Sequence, residues 1–293
     1  MIIQKYFSDR KKLIEHSLTE VVAEFDLAPK NLKKAIEYNL FNGGRRFRSI
    51  MMFATYEMLK GKNNLNSIKQ LVPAATSIEL VHTAFQVHND LPCIDDLNYR
   101  RGQPSCHKKF SESTAILVGD ALITKAFENL TKISKSAIFV QCFKLLAYSI
   151  STRGILGGQT VEIESTKKKI KLNTLRYIHM KKTGSLLSAT TGMACLFYGV
   201  EENFSILIRN YAVNLGLAFQ IIEDIVEEIE SIEDEEYQKK KSANRTTYPS
   251  LIGLENSIKS SKKLLDDAYR IIKNMKNNQI LIELIAMVKE RLP

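Results

Sequence analysis

The first stretch of this sequence that could do chemistry joins acidic side chains to a pair of arginines. An apolar helical pattern ends at Asn89 and Asp90, Asp95 follows a proline break, and Arg100 and Arg101 come next. A helix end that changes from apolar to acidic residues suits a divalent cation at the mouth of an apolar cavity. A salt-bridged surface is the alternative for this stretch on its own.

A second acidic group has the spacing of one helix face. Glu223 and Glu227 are four residues apart with Asp224 beside them, so the two glutamate carboxylates repel each other on a helix. That repulsion is tolerated on a solvated face, or where a cation neutralises it. Because residues 215–222 are too apolar for an ordinary exposed face, we favour the bound cation.

A basic stretch supplies groups that could hold phosphate. Gly43 and Gly44 precede Arg45, Arg46 and Arg48, and a helix N-terminus combined with arginine forks binds phosphate. Carboxylates, Mg²⁺ and phosphate form a consistent set, because Mg²⁺ bridges carboxylates to phosphate oxygens. Acidic groups around an apolar cavity therefore predict a substrate with a diphosphate head and a hydrocarbon tail. Further anion donors in the sequence are Arg100, Arg101, Lys182 and Arg245.

Helices must position these residues. Only 13 Gly and 6 Pro occur in 293 residues, and helical apolar spacing dominates while alternating strand patterns are almost absent. We therefore predict an all-α protein with helices near 5–25, 30–42, 46–60, 66–90, 113–131, 135–153, 173–197, 203–230 and 250–292, the last broken near Asn277. Gly157-Gly158 and residues 233–247 are expected breaks. Such long helices bury their apolar stripes best in a single large bundle, so we predict one domain over residues 1–293.

Composition argues against several partners and compartments. The net charge is +10, but the lysines are scattered along the chain, so no nucleic-acid partner is expected. The four cysteines form no CxxC pair, which indicates reduced thiols in a cytoplasmic protein. The first residues, MIIQKYFSDRKK, become charged before a signal-peptide core could form, and no run approaches the roughly 18 apolar residues of a membrane span.

Seven motifs, in order along nearly the whole chain, carry a family resemblance. They are GGRRFR (43–48), HNDLPCIDDLNYRRGQPSCHKKF (88–110), ILVGDAL (116–122), GGQTVEIE (157–164), KKTGSLL (181–187), LAFQIIEDIVE (217–227) and TTYPSL (246–251). The chain resembles the trans-isoprenyl diphosphate synthases of the polyprenyl synthetase family, especially short-chain farnesyl and geranylgeranyl diphosphate synthases. The resemblance implies an isoprenoid synthase bundle with a central substrate cavity, Mg²⁺ as cofactor and a homodimer.

The resemblance also implies a role for individual residues. The Mg²⁺ ligands would be Asn89, Asp90, Asp95, Glu223, Asp224 and Glu227. Isopentenyl diphosphate would bind to Gly44, Arg45, Arg48, His82 and Arg101. The allylic diphosphate would bind to Arg100, Lys182, Thr183, Gln220 and Arg245. The residues closest to the chemistry would be Asp90, Asp95, Arg100, Lys182, Thr183, Gln220 and Asp224.

Some positions depart from the family pattern. Asn89, Glu223 and Glu227 stand where aspartates are usual, while Arg45 and Arg245 stand where lysines are usual. The lost negative charge at Asn89 is expected to weaken metal binding. The alternative to an active prenyltransferase is therefore a weakly active or non-catalytic partner subunit of a prenyl diphosphate synthase.

Product length can be argued from Phe85. It precedes Asn89 by four residues, which is one helical turn and about 6 Å along the helix. An aromatic ring there would stop a growing hydrocarbon tail, so farnesyl diphosphate (C15) is the preferred product, with geranylgeranyl diphosphate (C20) next and the C10 product third. An ordinary core aromatic is the other interpretation of Phe85.

Overall fold

The computed structural model of the protein describes residues 2–61, 64–233 and 246–293. These ranges are helical apart from turns and one short hairpin, so the all-α prediction is confirmed. The chain divides into two compact units, Met1–Glu57 with Asn63–Phe143 and Met58–Lys62 with Lys144–Pro293. A single domain over residues 1–293 stays a prediction.

The elements follow one another in chain order. The helices are α1 (Ile2–Ala23), α2 (Lys30–Phe41), α3 (Phe47–Lys60), α4 (Leu65–Ile68), α5 (Val72–Asn89), α6 (Cys106–Lys109), α7 (Glu112–Leu130), α8 (Ser136–Ile150), α9 (Ile155–Ser165), α10 (Leu172–His179), α11 (Ser185–Tyr198), α12 (Glu202–Glu233), α13 (Tyr248–Ile252), α14 (Leu254–Ile272) and α15 (Gln279–Lys289). A 3₁₀ turn, Lys69–Leu71, precedes α5, and a π-helical turn, Met180–Gly184, joins α10 to α11. The hairpin pairs β1 (Tyr99–Arg100) with β2 (Gln103–Pro104) in antiparallel register.

In the first unit, α5 carries the apolar residues that build the core. Ile78, Leu80, Val81 and Ala84 are fully buried, and α5 packs against α1, α2 and α7. Burial of several aliphatic side chains, each contributing roughly 1.5–3 kcal/mol, fixes the helix that ends in the first acidic group.

In the second unit, α12 has the corresponding role. Ala218, Ile221, Ile222 and Ile225 are fully buried, and α12 packs against α11 and α14. Among the described helices, only Glu202–Glu230 is long and apolar enough to cross a membrane, with a mean hydropathy of 1.2 over its most apolar window, of which 56% is buried inside the protein. A core helix meets the same criterion, and this degree of burial accounts for its apolar character.

One predicted boundary is wrong. Gly157-Gly158 was expected to break the helical pattern, whereas both residues lie inside α9. Glycine is unfavourable in helices, but a side chain on Gly158 would come within 2.6 Å of the Lys181 Cβ, so close packing against Lys181 requires glycine at this position. The break near Asn277 is confirmed, because that residue has a φ of +58° between α14 and α15. The predicted loop at 233–247 lies largely outside the described residues.

Candidate active site

The first acidic group is assembled by a loop that folds back on the end of α5. Asp90 caps the helix, and its N–H donates to the Gln86 carbonyl at 3.1 Å. The N–H of Asp95 then donates to the Asn89 carbonyl at 2.9 Å, and that of Leu97 donates to the Asp90 carbonyl at 3.2 Å. The three predicted metal-binding positions of this unit are therefore brought together by main-chain hydrogen bonds.

Asp90 is held by an arginine. Its carboxylate is 2% exposed and accepts hydrogen bonds from the Arg100 Nε at 2.9 Å to Oδ1 and 2.7 Å to Oδ2, while the Arg100 Nη2 donates to Oδ1 as well. Such forked, charge-assisted pairs are among the strongest hydrogen bonds in proteins. The charge of the buried carboxylate is thus balanced by the protein itself.

The hairpin places both neighbouring arginines. Arg101 and Gly102 connect β1 to β2 with φ values of +54° and +75°, which is the pattern of a type I′ turn. The Arg101 Nη1 donates to the Gly43 carbonyl at 2.9 Å, and its Nη2 donates to the Gln86 Oε1 at 3.3 Å. The hydrogen bonds of the Arg101 side chain offset the energetic cost of a positive φ, which arginine seldom adopts.

The glycine loop before α3 is shaped by close approach of that same arginine. Gly44 has a φ of +112°, and a Cβ added there would lie 3.0 Å from the Arg101 Nη1, so only glycine fits. Arg46 is 5% exposed and donates to the Leu40 carbonyl at 2.6 Å, which makes it a structural residue. Arg45 is exposed and remains open to solvent and ligands.

Arg48 and His82 form the half-buried part of this basic cluster. The Arg48 Nη1 lies 3.0 Å from the His82 Nε2. Arginine can only donate, so the Nε2 accepts and the imidazole proton is on Nδ1. Burial is the main cause that lowers the His82 pKa well below 6.5, and nearby positive charges add to it. Those charges are carried by Arg48, Arg101, Arg100 and Arg46.

The depressed pKa of His82 predicts a specific dependence of stability on pH. Below pH 6.5 the unfolded chain protonates this imidazole while the folded chain does not, so the unfolded state binds more protons and the folded state loses stability as the pH falls. We expect the variant His82→Gln, which keeps an acceptor for Arg48, to lose less of its thermal midpoint than the unmodified protein between pH 7 and 5. Thermal unfolding across that range measures this, and parallel pH profiles would contradict it.

A small cavity in the first unit includes Asp90, Arg100 and Arg101 in its lining. Its lining is Asn39, Asn42, Thr83, Gln86, Val87, Asp90, Arg100, Arg101 and Ser105. Three amides in this lining were not predicted from the sequence. Asn42 directly precedes the glycine pair and Gln86 lies one helical turn before Asp90, so both positions were visible as neighbours of predicted site residues.

In the second unit, three predicted site residues, Lys182, Thr183 and Gln220, form side-chain hydrogen bonds around the π-helical turn. The Thr183 Oγ1 donates to the Gln220 Oε1 at 2.7 Å. The Lys182 Nζ donates to the Glu162 Oε2, and the Gln159 Nε2 donates to the same oxygen at 3.2 Å. Glu162 was missed by the sequence reasoning, although it lies within the GGQTVEIE motif. It balances and orients the predicted diphosphate-binding lysine.

The residues of the second acidic group, on α12, contact several different partners. Asp224 is 2% exposed; its Oδ2 accepts from the Tyr248 N–H at 3.0 Å and lies 3.8 Å from the His179 Nε2. Glu223, by contrast, pairs with Arg291, whose Nη2 is 2.6 Å from Oε1. The adjacent residues Glu223 and Asp224 of α12 therefore have different partners.

The donor chemistry of both acidic groups suits Mg²⁺, which prefers carboxylate and amide oxygens. In the part of the chain that the structure describes, no three His, Cys, Asp or Glu side chains form a ready-made metal cluster. Asp90 and Glu223 instead contact arginines of their own units. A cation bound to either carboxylate would therefore share it with an arginine or compete with that arginine for it.

Two further residues were predicted to contact the substrates, Phe85 and Arg245. Phe85 is half-buried on α5, and the neighbouring Ala84 is fully buried. Arg245 lies outside the described residues, so its predicted role in binding the allylic diphosphate is not tested.

Comparison with known proteins gives a consistent result. The polyprenyl synthetase family profile matches residues 29–288. Geranylgeranyl pyrophosphate synthase 4 of Arabidopsis thaliana is 35% identical over 98% of this chain and 77% of its own length, and geranylgeranyl diphosphate synthase of Cyanophora paradoxa is 34% identical over 96% and 93%. The structure of an FPP/GFPP synthase from Zymomonas mobilis superposes with a TM-score of 0.80 at 25% identity, covering 96% of this chain and 99% of the other.

Proposed function

Because the chain belongs to the polyprenyl synthetase family of prenyltransferases, we propose that it condenses isopentenyl diphosphate with dimethylallyl and geranyl diphosphates. The observation that carries this proposal is the basic cluster of half-buried Arg48 and His82 and exposed Arg101, in the same unit as the Asp90–Arg100 pair. Concentrated guanidinium groups beside a carboxylate suit a diphosphate and its divalent cation. A non-catalytic scaffold would have no use for such a cluster.

The isopentenyl diphosphate is assigned to the basic cluster of the first unit. Its phosphate oxygens would accept hydrogen bonds from Arg48 and Arg101, while the neutral His82 contributes a donor without adding charge. Gly44, a further predicted contact, lets the Arg101 guanidinium lie close to the glycine loop, and the exposed Arg45 supplies an outer contact. These five residues bind the substrate that is not ionised in the reaction.

The allylic diphosphate is assigned to Arg100, Lys182, Thr183 and Gln220, with Arg245 as a further predicted contact. The bond between C1 and the diphosphate oxygen breaks, C1 bonds to the isopentenyl double bond, and one proton leaves with the diphosphate. Arg100 and Lys182 donate N–H groups to the charge that develops on the leaving diphosphate. The oxygen atoms of Thr183 and Gln220 face the positive charge on carbon.

Mg²⁺ is the cofactor we propose for this site. When bound, it supplies charge neutralisation at the diphosphate. The residues that would hold it are Asn89, Asp90, Asp95, Glu223, Asp224 and Glu227.

Geranylgeranyl diphosphate is the product that the relatives support best, because both relatives described above are named for it. Farnesyl diphosphate, preferred from the sequence, is the second candidate, and Phe85 is the observation that favours it.

Cytoplasmic localisation and a homodimer are retained as predictions.

The proposed activity is tested with purified protein, dimethylallyl diphosphate and isopentenyl diphosphate, with and without Mg²⁺. We expect prenyl diphosphates up to C20 by product chromatography, and none when the metal is chelated. A reaction without the allylic substrate is the control. Absence of product with every divalent metal tried would contradict the proposal and favour the partner-subunit alternative.

Replacement of Phe85 by alanine distinguishes the two product lengths. If its ring stops the growing tail, Phe85→Ala should shift the distribution by at least one C5 unit, because removing the ring lengthens the space available to the hydrocarbon. Phe25→Ala is the matched control, since Phe25 is also half-buried but has no predicted role. An unchanged product distribution in Phe85→Ala would show that another residue limits chain length.

A further inference from the structure

The second acidic group has a cationic partner in the segment that follows α15. The Arg291 Nη2 lies 2.6 Å from the Glu223 Oε1. The guanidinium carbon of the same arginine lies 4.9 Å from the centre of the Phe219 ring. Phe219 and Glu223 are four residues apart and so share one face of α12. Arg291 therefore contacts this face at two successive turns.

Packing beside the arginine holds it in place. Leu292 packs against the apolar cluster that contains Ile221 and Ile225 of α12, and α15 itself packs against α12. The contact between Arg291 and Glu223 is therefore supported by the apolar side chain next to it, and does not depend on one flexible side chain alone.

The charges explain why such a partner is useful. Glu223 and Glu227 are spaced i,i+4 on α12, where like charges destabilise a helix. A guanidinium on Glu223 offsets part of that repulsion. Because the side chains of Arg291 and Glu223 are each 38% exposed, solvent screens the pair and keeps it weak enough to be exchanged.

We propose that Arg291 is a positioning residue that occupies the Glu223 carboxylate in the metal-free protein and must release it when a divalent cation binds there. The inference rests on the proposed function, in which Glu223 is a ligand of Mg²⁺. Arg291 then lowers the affinity of this group for metal and links metal loading to the contact between α12 and the segment after α15. It touches neither substrate nor reacting atoms.

The test measures metal binding directly. Mn²⁺ is titrated into the full chain in the presence of inorganic diphosphate, and free Mn²⁺ is followed by electron paramagnetic resonance. We expect Arg291→Gln to bind Mn²⁺ about twofold to fivefold more tightly than the unmodified protein, the factor that corresponds to a partly exposed ion pair. Arg270→Gln is the matched control, because it removes the same charge from an exposed pair with Asp267 on α14, and should change nothing.

Three results would overturn the proposed role of Arg291. Unchanged or weaker Mn²⁺ binding by Arg291→Gln, an equal gain in Arg270→Gln, or no detectable binding by any of the proteins overturns the proposal. If Arg291→Gln does not fold, Arg291→Lys, which keeps the positive charge but replaces the guanidinium group, should give an intermediate affinity. Product formation by the unmodified protein is measured separately, so a failure of the proposed function is recognised independently of metal binding.

Discussion

Asp90→Asn should lower kcat/KM for product formation by about 10²–10³-fold, the loss typical when one preorganised electrostatic group is removed from a site. The substitution keeps the shape of the side chain but removes the negative charge that a divalent cation needs. It also leaves Arg100 beside a neutral amide in place of its forked carboxylate partner. Steady-state kinetics with both substrates and Mg²⁺ measures the effect.

Asp96→Asn is the control for this prediction, because it makes the same chemical change on the same loop. Asp96 is exposed and has a φ of +47°, a conformation that asparagine tolerates well. We expect its kinetics to stay close to those of the unmodified protein. Comparable losses in both variants would mean that the loop, and not the Asp90 carboxylate, is what the reaction requires.

Gly158→Ala should reduce kcat by at least about tenfold, since small displacements of catalytic groups cost up to about 10²-fold. The added methyl group would lie 2.6 Å from the Lys181 Cβ and 3.0 Å from the Lys182 main-chain nitrogen. Something must move, and the nearest atoms belong to the turn that carries Lys182 and Thr183. Product assays and the thermal midpoint of the folded variant are measured together.

Gly184→Ala is the matched control in the same π-helical turn. A Cβ there would meet the Val213 side chain at 3.5 Å, which is ordinary contact, and alanine favours helix over glycine. We expect a thermal midpoint equal to or above that of the unmodified protein, with kcat little changed. Full activity in Gly158→Ala would show that α9 does not constrain the position of Lys182.

Local patterns predicted most of the helices and the residues near each acidic group, because the apolar spacing and most breaks lie within short windows, but they did not predict α9. The pairs Arg48 with His82 and Thr183 with Gln220 join residues that the family resemblance had placed in one site. Those assignments needed the resemblance as well as periodicity.

What the sequence could not give depends on long-range packing. The close approach of the π-helical turn explains why glycine occupies position 158 inside a helix, and no local preference reveals that contact. The hairpin is only two residues per strand, too short for an alternating pattern, and its Arg101 turn is stabilised by the distant Gly43 carbonyl. Glu162 and Arg291 were missed for the same reason, because each partner lies on another element.

The loop after α5 has a consequence for how this motif can change over evolutionary time. Its fold is held by main-chain carbonyls of Asn89, Asp90 and Leu91, and such bonds are indifferent to which side chain the first position carries. Asparagine and aspartate codons differ by a single base, so mutation can remove or restore the charge at position 89 without disturbing these main-chain bonds. The charge at position 89 can therefore change independently of the architecture that supports it.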